Sequence, residues 1–343
     1  MSKVAVTGAA GPVGRRLVAL LLGDPSVESV VAIDRRAVDP SDRVRAHQVQ
    51  LKGDNLDPIL AGVDVVCHLA GSDPLEGTAP DHDLHTTTRV LAAASRVGAS
   101  QVLVRTSATV YGAWPDNPVP LSETTPLRPN RECEWAHVRA EIEERVDAFA
   151  ADHPGIAVSI LRPCVTVSED GPDELGRVLA AARLVAPSDD EPPVQFVHAD
   201  DVAQAFDVLR RDQAAGVFNV APDGALEADM IRALVGGAPR VPLPEPLTRR
   251  LTALGWRYQL APTPPGFVPF VVHPWVVASD RLRALGWKPE HTNEEAFVAG
   301  HAAAPWASIS PQRRQEIALG VAAATIVGSV AGGVALLRRR FRR

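Results

Sequence analysis

Cysteine, tyrosine and lysine are scarce in this chain of 343 residues, and each scarcity narrows what it can be. The three cysteines, Cys67, Cys133 and Cys164, stand at unrelated spacings. That excludes a disulfide framework or a sequence-encoded zinc motif and suits a reducing, cytoplasmic setting, so no metal is expected. Only two tyrosines exist, Tyr111 and Tyr258, so chemistry that needs a phenol has two candidates. Lysine occurs three times against thirty-two arginines, so almost all the basic charge belongs to a group that keeps its proton at any accessible pH. No internal repeat appears, and no signal-like run precedes the first apolar segment. Apolar residues reach 46%, enough to bury one large core and a smaller lobe.

The first informative pattern lies at the N-terminus. Lys3 to Thr7 is a short apolar run that reads as a buried parallel strand. Gly8, Gly11 and Gly14 follow at spacing three, with Pro12 in the first turn of a helix, where its missing N–H costs nothing. Such a turn points free backbone N–H groups and a positive helix end at a diphosphate. Ser29 to Ile33 reads as the second strand and ends at Asp34, twenty residues beyond Gly14. A carboxylate there accepts hydrogen bonds from ribose hydroxyls and repels a 2′-phosphate, which favours NAD over NADP. Arg35 and Arg36 follow directly and temper that preference.

The rhythm continues. His47 to Leu51 reads as a third strand, Val63 to Gly71 as a fourth and Gln101 to Ser107 as a fifth. Helices are expected before Ala61 and over Thr86 to Val97. The alternation means a parallel sheet with helices on both faces.

These residues resemble the extended short-chain dehydrogenase/reductase, or NAD-dependent epimerase/dehydratase, family over roughly residues 1–300. The resemblance rests on the glycine loop with Asp34, on Gly53-Asp54, on His68-Leu69-Ala70-Gly71 and on Thr106 to Gly112. Leu161-Arg162-Pro163, Phe196 to Ala203, Gly216 to Val220 and Leu285 to Pro289 add to it. It implies a Rossmann-type, doubly wound α/β fold: a cofactor domain over 1–165, then a mixed segment over 166–310 that completes the sheet and forms a small C-terminal α/β substrate lobe. By this resemblance Gly8, Gly11, Pro12, Val13, Gly14, Asp34, Arg35, Asp54, Asn55, Leu69, Ala70, Gly71, Arg139 and Pro163 would contact the cofactor. Asp54 would touch the adenine, and Ser107 would face the reacting carbon as the surviving catalytic residue. The implied activity is hydride transfer on an unidentified small molecule, a nucleotide sugar or related hydroxyl compound.

The chain departs from the family where protons move. Trp135-Ala136-His137-Val138-Arg139-Ala140-Glu141 stands where relatives carry Tyr-Ala-x-x-Lys-Ala-Glu. An acid/base group must ionise near the working pH; an indole N–H does not, and arginine keeps its charge. Positions 135 and 139 share a helix face, so ring and guanidinium can stack and hold a cofactor without moving a proton. The loop after Pro163 also differs, reading Val165 to Glu169. Cys133 and His137 are the nearest substitutes, each turned away from Trp135; His137 reads as an exposed helix residue and Cys133 as an ordinary thiol before the helix starts. Glu132, Glu134, Glu141, Glu143 and Glu144 read as a solvated face, and His198 with Asp200 and Asp201 as structural ties. Two functions follow: an enzyme with a relocated acid/base, or a cofactor-binding sensor or scaffold without turnover.

One long uncharged run exists, Ile317 to Leu337, flanked by Arg313, Arg314 and five arginines after 337. Twenty-one residues at 1.5 Å each suffice for a bilayer, so a hydrophobic transmembrane or membrane-associated helix is expected over 315–338. Gly328 and Gly332 suit helix dimerisation, and a homodimer is the alternative use of this segment. Residues 313–343 carry +6, leaving −12 on the rest. An acidic body argues against nucleic acid, and the basic tail suits anionic headgroups.

Overall fold

A computed structural model describes residues 1–72, 81–185, 192–235 and 264–301, with positions 250 and 253 singly. Seven parallel strands form its centre: β1 (Ser2–Thr7), β2 (Val27–Asp34), β3 (Val44–Gln48), β4 (Val65–His68), β5 (Gln101–Arg105), β6 (Ala157–Pro163) and β10 (Gly216–Val220). Their spatial order is β10-β6-β5-β4-β1-β2-β3. Strand order reverses beside β1, so a cleft opens at the carboxyl ends of β1 and β4, the usual ligand position in such sheets.

Alternation along the strands builds two cores. Val4, Val6, Val30, Ala32 and Cys67 face one side with Leu17 and Leu21 of α1 (Pro12–Gly23) and Phe206 and Leu209 of α6 (Ala199–Arg211). Ala5, Val31, Ile33 and Val66 face the other side, with Leu60 of the short α2 (Asp57–Leu60). There they meet Val90 and Leu91 of α3 (His82–Arg96) and Ile142 and Val146 of α4 (Glu134–Asp152). Each fully buried Leu, Ile or Phe contributes about 1.5–3 kcal/mol, so a change of register, which would turn every strand inside out, is strongly opposed.

In the sequence between β6 and β10, a second sheet forms from β7 (Val165–Ser168), β8 (Gly171–Pro172) and β9 (Phe196–His198), in the order β8-β7-β9. The helix α5 (Glu174–Val185) follows β8, and the helix Asn293–Gly300 packs on β7 and β9 under a Thr292/Glu295 capping box. Trp287 is fully buried and donates its indole N–H to the Asp201 carbonyl at 3.0 Å.

Some boundaries move from the sequence expectation. The third strand runs over Val44–Gln48 rather than His47 to Leu51, because pairing with β2 stops at Asp34↔Gln48. Beyond it the chain turns, with Gln50 N–H donating to Asp54 Oδ2 at 2.7 Å. The fourth strand ends at His68, leaving Leu69 to Gly71 free to line the cleft. The 315–338 segment, its Ile317 to Leu337 run and the flanking arginines lie outside the described residues. Among the described residues, no helix is long and apolar enough to cross a membrane.

Candidate cofactor cleft

The cleft encloses about 550 Å³. Its floor is the turn from β1 into α1. Gly8 holds φ +71°, and a Cβ there would lie 2.8 Å from Ala70 N. A Cβ on Gly14 would run into the Gly8 carbonyl, whereas one on Gly11 meets the Gly8 carbonyl at 3.2 Å and otherwise faces open cleft. The first intrahelical bond runs from Arg15 N–H to Gly11 C=O at 3.0 Å. Gly11, the N-cap, has no side chain to occupy the N–H groups of Val13 and Gly14 ahead of it. A cradle without side chains and two forward N–H groups fit a diphosphate.

Asp34 ends β2 beside this cradle and is only 7% exposed. Its Oδ2 accepts Ala10 N–H and its Oδ1 accepts Arg36 N–H, both at 2.9 Å. Oδ1 also receives Arg36 Nε at 3.5 Å, so these bonds fix the carboxylate and leave Oδ2 a further lone pair for a hydroxyl. Gly8, Gly11, Pro12, Val13, Gly14, Asp34, Arg35, Leu69, Ala70, Gly71, Ser107, Arg139 and Pro163 all line the cleft. Asp54 and Asn55 do not. The Asp54 carboxylate accepts Gln50 N–H, and Asn55 Oδ1 accepts Asp57 N–H at 3.2 Å, so both side chains order the local turn.

At the other end stand Trp135 and Arg139, one helical turn apart on α4. The guanidinium lies 4.6 Å from the indole centroid, the stacking expected from their spacing. Arg139 is nevertheless committed elsewhere. Its Nη1 donates to Asp83 Oδ2 at 2.6 Å, and both groups are buried. Asp83 Oδ1 and Oδ2 also accept Ser72 N–H at 3.0 Å, and Oδ2 accepts the Ser72 hydroxyl at 2.8 Å. Burial disfavours that carboxylate, but the Arg139 charge and the Ser72 donors outweigh it and hold the pKa below the usual value. The Trp135 indole N–H has no partner among the described residues, although the atom is buried. Asp83 went unread in the sequence.

Neither substitute near Trp135 reaches the cleft lining. Cys133 is buried at the N-cap of α4, and burial pushes its thiol up to about 12. His137 is half-buried and outside the lining. Tyr111 cannot deputise either: its hydroxyl donates to Asn219 Oδ1 at 2.9 Å and accepts from Arg162 Nη1 at 2.6 Å, and burial raises its pKa. Tyr258 lies outside the described residues. Ser107 lines the cleft and caps the next turn, its Oγ accepting Thr109 N–H at 3.3 Å.

One acidic residue on α4 corrects the sequence reading. Glu143 is not on a solvated face; it is buried and receives Arg162 Nε at 3.0 Å, Arg162 Nη2, and the Thr106 hydroxyl at 2.6 Å. It falls on the inward stripe with Ala136, Arg139 and Ala140, whereas Glu141 and Glu144 are exposed. Thr106-Glu143-Arg162-Tyr111-Asn219 is therefore a buried network beneath the strand ends that carry Ser107.

His68, just before the Leu69–Gly71 turn, sits between two hydroxyls. Its Nδ1 is 2.7 Å from Thr7 Oγ1 and its Nε2 3.0 Å from Thr87 Oγ1. Burial pushes its pKa down to about 4, Asp83 pulling it up and Arg139 adding to the fall. An unfolded histidine titrates near 6.5, so between those values the unfolded chain binds more protons and stability falls as pH falls. At pH 5 the loss relative to pH 7 is on the order of 2 kcal/mol from this group. Urea unfolding at both pH values should show wild type losing more stability than His68→Asn by about that amount. Equal losses would show that His68 is not held neutral.

The model of the NAD dependent epimerase/dehydratase family matches residues 4–221, and the chain belongs to that family. It is 27% identical over 321 residues to uncharacterized proteins of Mycobacterium tuberculosis (strain ATCC 25618 / H37Rv) and Mycobacterium bovis (strain ATCC BAA-935 / AF2122/97). Those alignments cover 86% of this chain and 82% of each relative. Among solved structures, the Thermus thermophilus UDP-glucose 4-epimerase complex with NAD gives a TM-score of 0.65 at 20% identity, covering 87% of this chain and 97% of that one. DesIV, a dTDP-glucose 4,6-dehydratase from Streptomyces venezuelae with NAD and TYD bound, gives 0.66 at 18% identity over 87% and 95%. MoeE5 in complex with UDP-glucuronic acid and NAD gives 0.62 at 23% identity over 87% and 97%. At these identities the likeness establishes a common fold.

Proposed function

We propose that this protein holds NAD in the cleft and that the Trp135/Arg139 replacement leaves it without the proton-transfer pair of its family. The observation that carries this is the junction of Asp34 with the glycine cradle: one carboxylate, fixed by Ala10 and Arg36 N–H groups, closes the end where an adenosine ribose would lie. Val13 and Gly14 N–H groups would hold the diphosphate, and Asp34 the ribose hydroxyls. Bound NAD would supply a hydride acceptor, and Ser107 a hydroxyl toward the reacting end. The nucleotide-sugar ligands of the structural neighbours make that class the first to try as substrate.

A second reading rests on Asp173, which lines the cleft at the start of α5. Burial pushes its carboxyl up to about 6, against the pull of Arg105, whose Nη2 lies 2.8 Å from Oδ2. A carboxyl in that range can exchange protons near neutrality. In this reading the protein is an enzyme whose acid/base has moved from α4 to α5.

Cofactor choice tests the first reading. Calorimetry should give NAD at least about tenfold tighter binding than NADP, some 1.4 kcal/mol. The exposed Arg36 side chain limits the margin. Equal or reversed affinities would remove Asp34 from the role given to it.

A further inference from the structure

Behind the cleft wall, three elements meet at one histidine. His198, at the N-cap of α6, has a side chain only 1% exposed. Its Nδ1 lies 3.2 Å from Asp200 Oδ2, and its Nε2 lies 3.4 Å from Glu169 Oε1 in the turn after β7, without forming a hydrogen bond there. Both ring nitrogens thus face carboxylate oxygens. A neutral imidazole carries one proton and can satisfy one of them; the other nitrogen is left lone pair against anion. Nδ1 also takes the Asp200 N–H at 3.3 Å, which eases the conflict on that side, whereas Nε2 is buried without a partner among the described residues.

The neighbouring residues are arranged as metal ligands are. His291 stacks beside His198 with ring centroids 4.1 Å apart. Its Nδ1 is 3.0 Å from Asp201 Oδ2, a buried carboxylate, which fixes the tautomer and leaves Nε2 with its lone pair. One ligand atom from each of His198, Asp200 and His291 lies within 4.8 Å of the others. Ligand atoms about 2.0–2.1 Å from a tetrahedral zinc stand roughly 3.3 Å apart, so a side-chain closure of at most about 1.5 Å brings the three together, with a fourth position left to water. Arg16 pairs with the outer oxygens of Asp200 and Glu169, which holds both carboxylates in place and leaves their other oxygens toward the histidine.

We propose that His198, Asp200 and His291 form a site for a divalent transition metal of the zinc class. Nitrogen and carboxylate donors in this number select zinc over magnesium or calcium. The ion would staple the start of α6 to the 290–292 segment. Its role would be structural, and it stands independently of the cofactor reading.

The test uses the full-length, tag-free protein dialysed against chelator and titrated with zinc chloride by calorimetry and thermal melting. We expect one saturable site and a raised Tm. His291→Ala and Asp200→Asn, both at partly exposed positions, should each weaken binding by more than the roughly 10–100-fold that loss of a mere orienting partner costs. Both should also abolish the Tm increase. Failure of wild type to bind, or binding by either variant as tight as that of wild type, would overturn the site. NAD affinity measured alongside reports separately on the cleft.

Discussion

Trp135→Tyr with Arg139→Lys should raise the rate of hydride transfer by about 10²–10⁴, or create it where wild type shows none. The double change returns an ionisable phenol and an ammonium to adjacent turns of α4, at the end of the cleft lined by Ser107 and Pro163. Lysine at 139 can keep the attraction to Asp83, whose pairing with arginine at 2.6 Å now occupies the position. NADH absorbance in the presence of NAD and UDP-glucose or UDP-glucuronic acid reads the gain. A robust wild-type rate that the double variant destroys would show that the acid/base lies elsewhere. Asp173→Asn then decides the second reading, which requires that rate to vanish while NAD binding persists. A rate unaffected by Asp173→Asn would remove that residue from the chemistry.

Arg162→Met should be the most destabilising single change in the buried network, by about 3–5 kcal/mol. It strands the Glu143 carboxylate inside the protein and takes the donor from the Tyr111 hydroxyl. That is a large part of a typical stability of about 5–15 kcal/mol. The double variant Arg162→Met with Glu143→Leu should recover most of the loss, since an apolar pair no longer buries an unmatched charge. Urea unfolding midpoints measure both. A mild effect of the single change, or no recovery in the double, would mean that Glu143 is not held as a buried anion.

The parts of the site that backbone geometry dictates were legible in the chain. Gly8 and Gly14 announce the cradle because side chains there would meet backbone, Gly11 because one there would enter the cleft, and Asp34 is found by its distance from them. The stacking of Trp135 on Arg139 follows from a spacing of four on a helix. What a single chain hides is which charges find each other across elements. Asp83 and Arg139 are 56 residues apart and meet only because α3 packs against α4. Glu143 was misread because its charged neighbours at 141 and 144 suggested solvent, although it shares the inward stripe with Arg139 and Ala140. Asp54 was assigned by resemblance, and the turn it closes at Gln50 keeps it off the cleft lining.

The most direct test of the account is a calorimetric titration of NAD into wild type and into Gly11→Val. Gly11 has backbone angles φ −73° and ψ 166°, which valine adopts readily, and its added carbons project into the cleft rather than the core. The account predicts saturable binding to wild type and none to Gly11→Val, with the two proteins unfolding at similar temperatures. Absence of NAD binding by wild type, or undiminished binding by Gly11→Val, would contradict it.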